Sequence, residues 1–357
     1  MIIARAPARI SLGGGGTDLA AYYGRFGGLV VSTAITRYCS VHVRPTLDCS
    51  IRLSSASYPL ARIYPPGVVP DVSGDLQLLA AAVERFFERG LGERGVDLSV
   101  ASDIPPGSGL GSSSTLAVAL VQALSSYTGS PCDAAMAAEI ACEIEIERLG
   151  MPIGRQDQYA SAFGGLNAIE FDPGGTRVTP LRLPPDTRDA LSDRMLLFST
   201  GQTRSAAGIL AQQRLDTGSK PVVIESLHRI KELAGEMVSA LSSNDLDGFG
   251  ELLHTSWQEK KRLSDRISSG DIDRWYKAAR SSGALGGKIS GAGGGGFLLL
   301  YCPPEAQPRL RLTMATLGLP EMSFCFDSSG ATVVHASRQT VSAGSDFALA
   351  HDSLDVP

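Results

Sequence analysis

Apolar residues recur along this chain with two different periods, and the switches between them mark its elements. Residues 2–12 read as an extended strand interrupted by Pro7. Residues 28–35 and 38–43 are rich in β-branched side chains and predict a pair of strands. Residues 96–102 alternate apolar with polar and stop at Asp103, ahead of the turn-forming Pro105-Pro106-Gly107. The period then lengthens: Leu116, Leu120 and Leu124 stand four apart and predict a helix over 113–126. A second helix is expected from Ser130 as N-cap and Pro131 in the first turn to about Leu149. Residues 166–171 and 178–183 predict a hairpin turning at Asp172-Pro173-Gly174-Gly175.

Beyond Pro184-Pro185-Asp186 the pattern starts afresh with an apolar strand at 195–198. Helical periods follow over 221–241, 245–263 and 271–280. Strands at 285–290 and 296–301 flank a glycine loop, and a helix at 304–317 with extended segments at 323–327 and 332–335 closes the pattern. The expectation is two α+β domains, 1–190 and 191–340. The chain is polar from Ser337, and 341–357 is read as a tail, a candidate for disorder. A length of 357 residues suits two cores better than one.

Charge and cysteine usage narrow the function. The net charge of −5, with no Lys/Arg block, argues against nucleic acid as a partner. No apolar run reaches the length of a membrane span, and the first residues enter a strand pattern without a signal-peptide layout. A cytoplasmic protein with no membrane partner is expected. Whether it is a monomer or a homodimer stays open. Cysteines 39, 49, 132, 142, 302 and 325 form no C-x-x-C pair, so reduced thiols are expected rather than a metal knuckle. The five histidines show no ligand or triad spacing.

Glycine is abundant, and it is clustered at 13–16, 107–111 and 291–296. The central cluster, Pro106-Gly107-Ser108-Gly109-Leu110-Gly111-Ser112-Ser113-Ser114, joins a strand to a helix. Small residues let main-chain N–H groups and a helix N-terminus close on an anion, and triphosphate is the natural ligand. No G-K-[ST] follows, so the loop is not a Walker A motif. G-x-G-x-G without a prompt acidic-ended strand is not a Rossmann fingerprint either. A plain capped turn would need neither three alternating glycines nor three serines.

This loop resembles the second motif of the GHMP kinases. Arg5-Ala6-Pro7-Ala8-Arg9-Ile10-Ser11-Leu12-Gly13-Gly14-Gly15-Gly16-Thr17-Asp18 is similar to the family's first motif, and Lys288-Ile289-Ser290-Gly291-Ala292-Gly293-Gly294-Gly295-Gly296 to its third. Three motifs in order cover most of the chain. Residues 153–167 and Gly201-Gln202-Thr203-Arg204-Ser205-Ala206 resemble the branch that phosphorylates heptose 7-phosphate at its anomeric hydroxyl. The resemblance implies an N-terminal domain like ribosomal protein S5 domain 2, which binds ATP, and a ferredoxin-like C-terminal domain. It also implies Mg2+ and a sugar phosphate as substrate.

Residue by residue, the resemblance places Mg2+ on Ser113 and Glu147, with Glu143 one turn earlier as the alternative acid. The remaining acids of that helix, Glu139 and Glu145, are read as a solvated face. Asp157 matches the family's catalytic aspartate, which accepts or orients the proton of the attacking hydroxyl. Arg9 stands at the family's first-motif cation. It keeps Asp157 ionised but cannot itself be a base. Gly15, Gly16, Thr17, Asp18 and Gln158 are placed with the sugar, and Gly291, Ala292, Gly293 and Gly294 with the substrate cleft. Arg204, in a Thr-Arg-Ser cluster before a helix, is the candidate for the distal phosphate, ahead of Arg155 and Arg37. Two rival readings stand beside this one: a kinase of free hexoses such as fucose or galactose, and a non-catalytic nucleotide- and sugar-binding regulator.

Overall fold

Pro7 shapes the first sheet. In this computed structural model, which describes residues 1–56, 60–202 and 206–336, β1 (Ile2–Gly13) and β2 (Gly28–Arg44) run antiparallel along most of their length. Pro7 opposes Tyr38 while Ala8 opposes Ile35, so Thr36 and Arg37 are extruded. Proline has no N–H to give the ladder, and the bulge sits beside it. The two expected strands at 28–35 and 38–43 are therefore one bent strand. The extruded Thr36 donates its N–H to the Cys325 carbonyl at 2.9 Å, and its hydroxyl accepts from the Cys325 N–H at 3.0 Å.

The remaining strands are β3 (Ile51–Ser55), β4 (Leu60–Tyr64), β5 (Val96–Ser102), β6 (Leu166–Asp172), β7 (Gly175–Pro180), β8 (Met195–Ser199), β9 (Gly286–Ile289), β10 (Phe297–Tyr301) and β11 (Thr332–Ala336). The large sheet has the order β11-β1-β2-β5-β3-β4, and the β6–β7 hairpin joins the first half of β2. The second sheet is β8-β10-β9, all antiparallel. Beside β8, the stretch at 320–322 makes single backbone bonds to Ser199 and Leu197 in place of a further strand. The extended segment expected at 323–327 makes only an isolated bridge, Ile35 to Phe326. The chain's last described strand, β11, returns to the first sheet and pairs with β1.

Helices cover these sheets: α1 (Ala20–Phe26), α2 (Gln77–Phe86), α3 (Gly92–Arg94), α4 (Ser112–Tyr127), α5 (Ala134–Cys142), α6 (Gln156–Phe163), α7 (Pro185–Asp193), α8 (Ala206–Ser219), α9 (Pro221–Ser242), α10 (Leu246–Lys261), α11 (Gly270–Ser281) and α12 (Gln307–Thr316). The N-cap of α5 is Asp133, whose carboxylate accepts from the Met136 N–H at 2.8 Å, rather than Ser130. A π-helical turn, Glu143–Arg148, continues α5.

One apolar core lies between the first sheet and α2, α4 and α5, and another lies around β8, β10 and α11. A third joins the two halves. It unites Ile10, Leu12 and Val31 with Met237, Phe249, Leu253 and Tyr301. Among the described residues, no helix is long and apolar enough to cross a membrane.

Candidate active site

The three glycine loops converge on a cavity of about 340 Å³. The central loop leaves β5 and enters α4, with Gly107, Gly109 and Gly111 at φ of 68°, 75° and 78°. Gly109 packs directly against the third loop: a Cβ there would lie 2.4 Å from the Ser290 carbonyl oxygen. No side chain fits between the two loops, so bare backbone meets backbone at the cavity wall. Ser112, Ser113 and Ser114 form the first turn of α4, where unpaired N–H groups and the helix dipole favour an anion.

Three residues of this loop do not line the cavity. The Leu110 side chain is in the core, the Ser108 hydroxyl accepts from the Leu110 N–H at 3.3 Å, and Pro106 is exposed. They shape the loop from outside the wall.

Arg9, on β1, is almost fully buried and holds Asp157, in the first turn of α6, with a two-pronged grip. Its Nε donates to Oδ1 at 2.7 Å and its Nη2 to Oδ2 at 2.8 Å, while Nη1 donates to the Gly109 carbonyl at 2.7 Å. A planar guanidinium suits a carboxylate in this way, and its three bonds fix it against both the acid and the central loop. Asp157 belongs to a helix rather than to the loop its sequence suggests. Gly111 lies beside it, with room for a Cβ only 3.1 Å from Oδ2.

The acid that meets Ser113 is Glu145, not Glu147. Glu145 is fully buried; its Oε1 accepts from the Ser113 hydroxyl at 2.6 Å and its Oε2 from Gln158 Nε2 at 2.6 Å. Burial raises its pKa to about 7 against the lowering effect of its hydrogen bonds to Ser113, Ser114 and Gln158. Glu147 is exposed, and Glu143 is held by Arg85 and Arg148. The reason lies in helix geometry. Glu139, Glu143 and Glu147 recur every four residues and form one outward stripe, whereas Glu145 follows Ala141 by four on the inward side. Gln158, expected at the sugar, lies behind Glu145 and orients it.

The first glycine run brings Asp18 into the cavity, buried. Its Oδ1 accepts from the Gly16 N–H at 2.9 Å and from Gln156 Nε2 at 3.1 Å, and its Oδ2 from the Gln156 N–H at 3.2 Å. Burial, and then the neighbouring Asp157 charge, push its pKa up. Gly154 makes this possible, since a Cβ there would sit 1.9 Å from Oδ2. Gly15 and Gly16 line the cavity, but Thr17 does not. The Thr17 hydroxyl donates to the Gly14 carbonyl at 2.8 Å and accepts from the Leu29 N–H at 3.1 Å. It locks the turn instead of facing a sugar.

The second half of the chain closes the cavity with Gly291, Ala292 and Gly293, while the Gly294 N–H turns away to the Ile267 carbonyl at 2.8 Å. It also supplies Lys260, from the last turn of α10, and Gln213, from α8, which sequence reasoning missed. Lys260 is 8% exposed and donates to the Gly291 carbonyl. Nothing in its exposed-looking Glu-Lys-Lys-Arg context signals burial. Among the described residues, four cavity-lining side chains carry buried polar atoms without a protein partner: Ser11 Oγ, Gln156 Oε1, Gln213 Nε2 and Ser290 Oγ. Such orphaned atoms fit a polar ligand. The Ser113–Glu145 pair offers two hard oxygens, a donor set suited to Mg2+ that takes its other ligands from phosphates and water.

Arg204 lies outside the described residues. Arg155 pairs with Glu139, and Arg37 donates to the Ser323 carbonyl at 2.5 Å; neither lines the cavity.

Residues 77–165 match the family described as GHMP kinases N terminal domain, and residues 237–316 match GHMP kinases C terminal. The chain is 34% identical over 311 residues to a D-glycero-alpha-D-manno-heptose 7-phosphate kinase of Campylobacter jejuni, covering 86% of this chain and 91% of that protein. It is 29% identical to an L-fucokinase/L-fucose-1-P guanylyltransferase of Bacteroides fragilis, over 86% of this chain but 35% of that longer protein. In three dimensions it matches a D-glycero-D-manno-heptose 1-phosphate kinase from Bacteroides thetaiotaomicron with a TM-score of 0.80 and 27% identity, covering 95% of this chain and 100% of that one. The chain belongs to the GHMP kinases. It has their two-domain fold, and it is a sugar kinase.

Proposed function

We propose that the protein transfers the γ-phosphoryl group of ATP to the anomeric hydroxyl of D-glycero-D-manno-heptose 7-phosphate, giving the 1,7-bisphosphate. The observation that carries this reading is the two-pronged Arg9–Asp157 pair beside the glycine cradle, within the likeness to the Campylobacter enzyme. Asp157 accepts the proton of the anomeric hydroxyl as the new O–P bond forms and the bond from Pγ to the β-phosphate oxygen breaks, releasing ADP. Arg9 holds Asp157 aimed by its two-pronged grip, and adds positive charge near the transfer. The N-terminal turn of α4 and the bare loop at Gly107–Gly111 receive the polyphosphate. Ser113 and Glu145 would hold Mg2+, which would supply positive charge against the polyphosphate. Asp18, steadied by Gly16 and Gln156, takes sugar hydroxyls. Arg204 remains the proposed partner of the 7-phosphate.

A sugar-phosphate panel read by phosphorus NMR tests the substrate and the position modified. Heptose 7-phosphate is expected to give an anomeric phosphate, and free fucose or galactose little product. Asp157→Asn is expected to lower kcat by about 10²–10⁴-fold. Full turnover in that variant would falsify the base assignment. Arg204→Ala should raise KM for the sugar phosphate far more than for ATP, and equal changes in both would remove Arg204 from the substrate site.

A further inference from the structure

Lys260 is the feature of the cleft that the family motifs leave without a role. Its stem runs in from the C-terminal end of α10, and its ammonium sits out of water against the third glycine loop. It donates one hydrogen bond, to the Gly291 carbonyl. Among the described residues no carboxylate comes within ion-pair distance of it, although Asp18 and Asp157 are near enough to act on it electrostatically. A buried cation without a paired anion is costly, and a site keeps one when a ligand supplies the missing charge.

Among the described residues, the other cation lining the cavity is Arg9, and it is already committed to Asp157 and Gly109. Among those residues Lys260 is thus the cavity-lining cation with N–H groups to offer an incoming anion. Its place is at the reacting end. Gly291, which it grips, packs on Gly109 of the phosphate loop, where a Cβ on Gly291 would lie 2.7 Å from the Gly109 Cα. A phosphate at the far end of a seven-carbon sugar lies well away from the anomeric oxygen that Asp157 faces. The anion within reach of Lys260 is therefore the group in transfer.

Resting on the kinase reading above, we propose that Lys260 contacts the transferred phosphoryl group and stabilises the charge on its non-bridging oxygens as it passes from ADP to the acceptor oxygen. Ser113 and Glu145, which would hold Mg2+, come from the first half of the chain, and Lys260 comes from the second. The proton still goes to Asp157, and Lys260 remains an ammonium throughout. Charge stabilisation of this kind, aimed where charge develops, is worth orders of magnitude in rate.

The test is Lys260→Met, which keeps the stem and removes the charge, with Lys260→Arg as the charge-retaining control. In the full-length protein, kcat is expected to fall about 10²–10³-fold in Lys260→Met, with KM for the sugar phosphate changed less than threefold and partial recovery in Lys260→Arg. Calorimetry with MgADP and aluminium fluoride, a planar mimic of the group in transfer, gives the independent readout. Wild type is expected to bind the mimic at least tenfold more tightly than MgADP alone, and Lys260→Met to lose that increment while keeping its affinity for MgADP. The melting temperature of the ligand-free variant should equal or exceed that of wild type, which excludes misfolding. An unchanged kcat, or a change confined to sugar-phosphate KM, would overturn the proposal; so would an intact aluminium fluoride increment. The calorimetry needs no sugar. If heptose 7-phosphate proves not to be the acceptor, the substrate reading fails while Lys260 is still judged.

Discussion

At the scale of single residues, burial decides which charges do chemistry. Glu145 and Glu147 differ by two positions and by their whole environment: one is sealed beneath α4 against Ser113, and the other is in solvent. Glu145→Gln is expected to lower kcat about 100-fold or more and to weaken the dependence on Mg2+, whereas Glu147→Gln should stay within twofold of wild type. A magnesium titration of both variants checks this, and equal losses would return Glu147 to consideration. Lys260 gives a pH prediction. Burial first, then the Arg9 charge, lowers its pKa from 10.5 to about 8. Between those values the unfolded chain holds a proton that the folded protein has released. Folding stability from this group therefore rises with pH above about 8, and is lost as pH falls through that value. Denaturant midpoints of ligand-free wild type, minus those of Lys260→Met, should climb between pH 7.5 and 10. A flat difference would place the ammonium in water.

At the scale of elements, loops are held at fixed spacings by backbone contact. Gly109 has φ of 75° and no room for a Cβ against the Ser290 carbonyl. Gly109→Ala is expected to cost about 1–2 kcal/mol from the left-handed backbone alone. Because the two loops must also part, KM for ATP should rise more than tenfold, as initial-rate kinetics would show. A variant with normal KM for ATP would mean that the loop does not cradle phosphate. The glycine clusters, the chain order of the main elements and the α4 helix were legible in sequence because each rests on local rules of φ and period. The continuous β2 was not. Its apparent break at Thr36-Arg37 is a bulge opposite the Pro7–Ala8 step of the neighbouring strand, which no local pattern of β2 records. The short α6, with Asp157 in its first turn, was missed for a similar reason: Tyr159, Ala160 and Ala162 bury against the first core, so packing rather than local propensity fixes it.

At the scale of the whole molecule, the site is assembled across a shared core. Ile10 and Leu12 of β1, the strand that carries Arg9, pack in one cluster with Phe249 of α10, the helix that carries Lys260. The Phe249 and Tyr301 rings meet edge to face at 5.3 Å. Phe249→Ala is expected to cost about 3–5 kcal/mol. The loss should appear in a single transition, reported alike by probes in the first and second halves. Two separated transitions would show that the halves melt independently and that the shared core does not join them. The return of β11 to β1 adds a second tie between the ends of the described chain.

The sequence by itself determined the family, the two-part α+β plan, the three glycine loops and the Arg9 and Asp157 candidates, because motifs of small residues and fixed charges write their constraints locally. Only the tertiary structure decided which acid is sealed against Ser113, that Thr17 and Gln158 serve their neighbours, and that Lys260 reaches the cleft. The physical reason is that desolvation and pairing depend on what packs around a side chain, and those neighbours sit on other elements and loops: Ser113 on α4 for Glu145, Gly291 of the third glycine loop for Lys260.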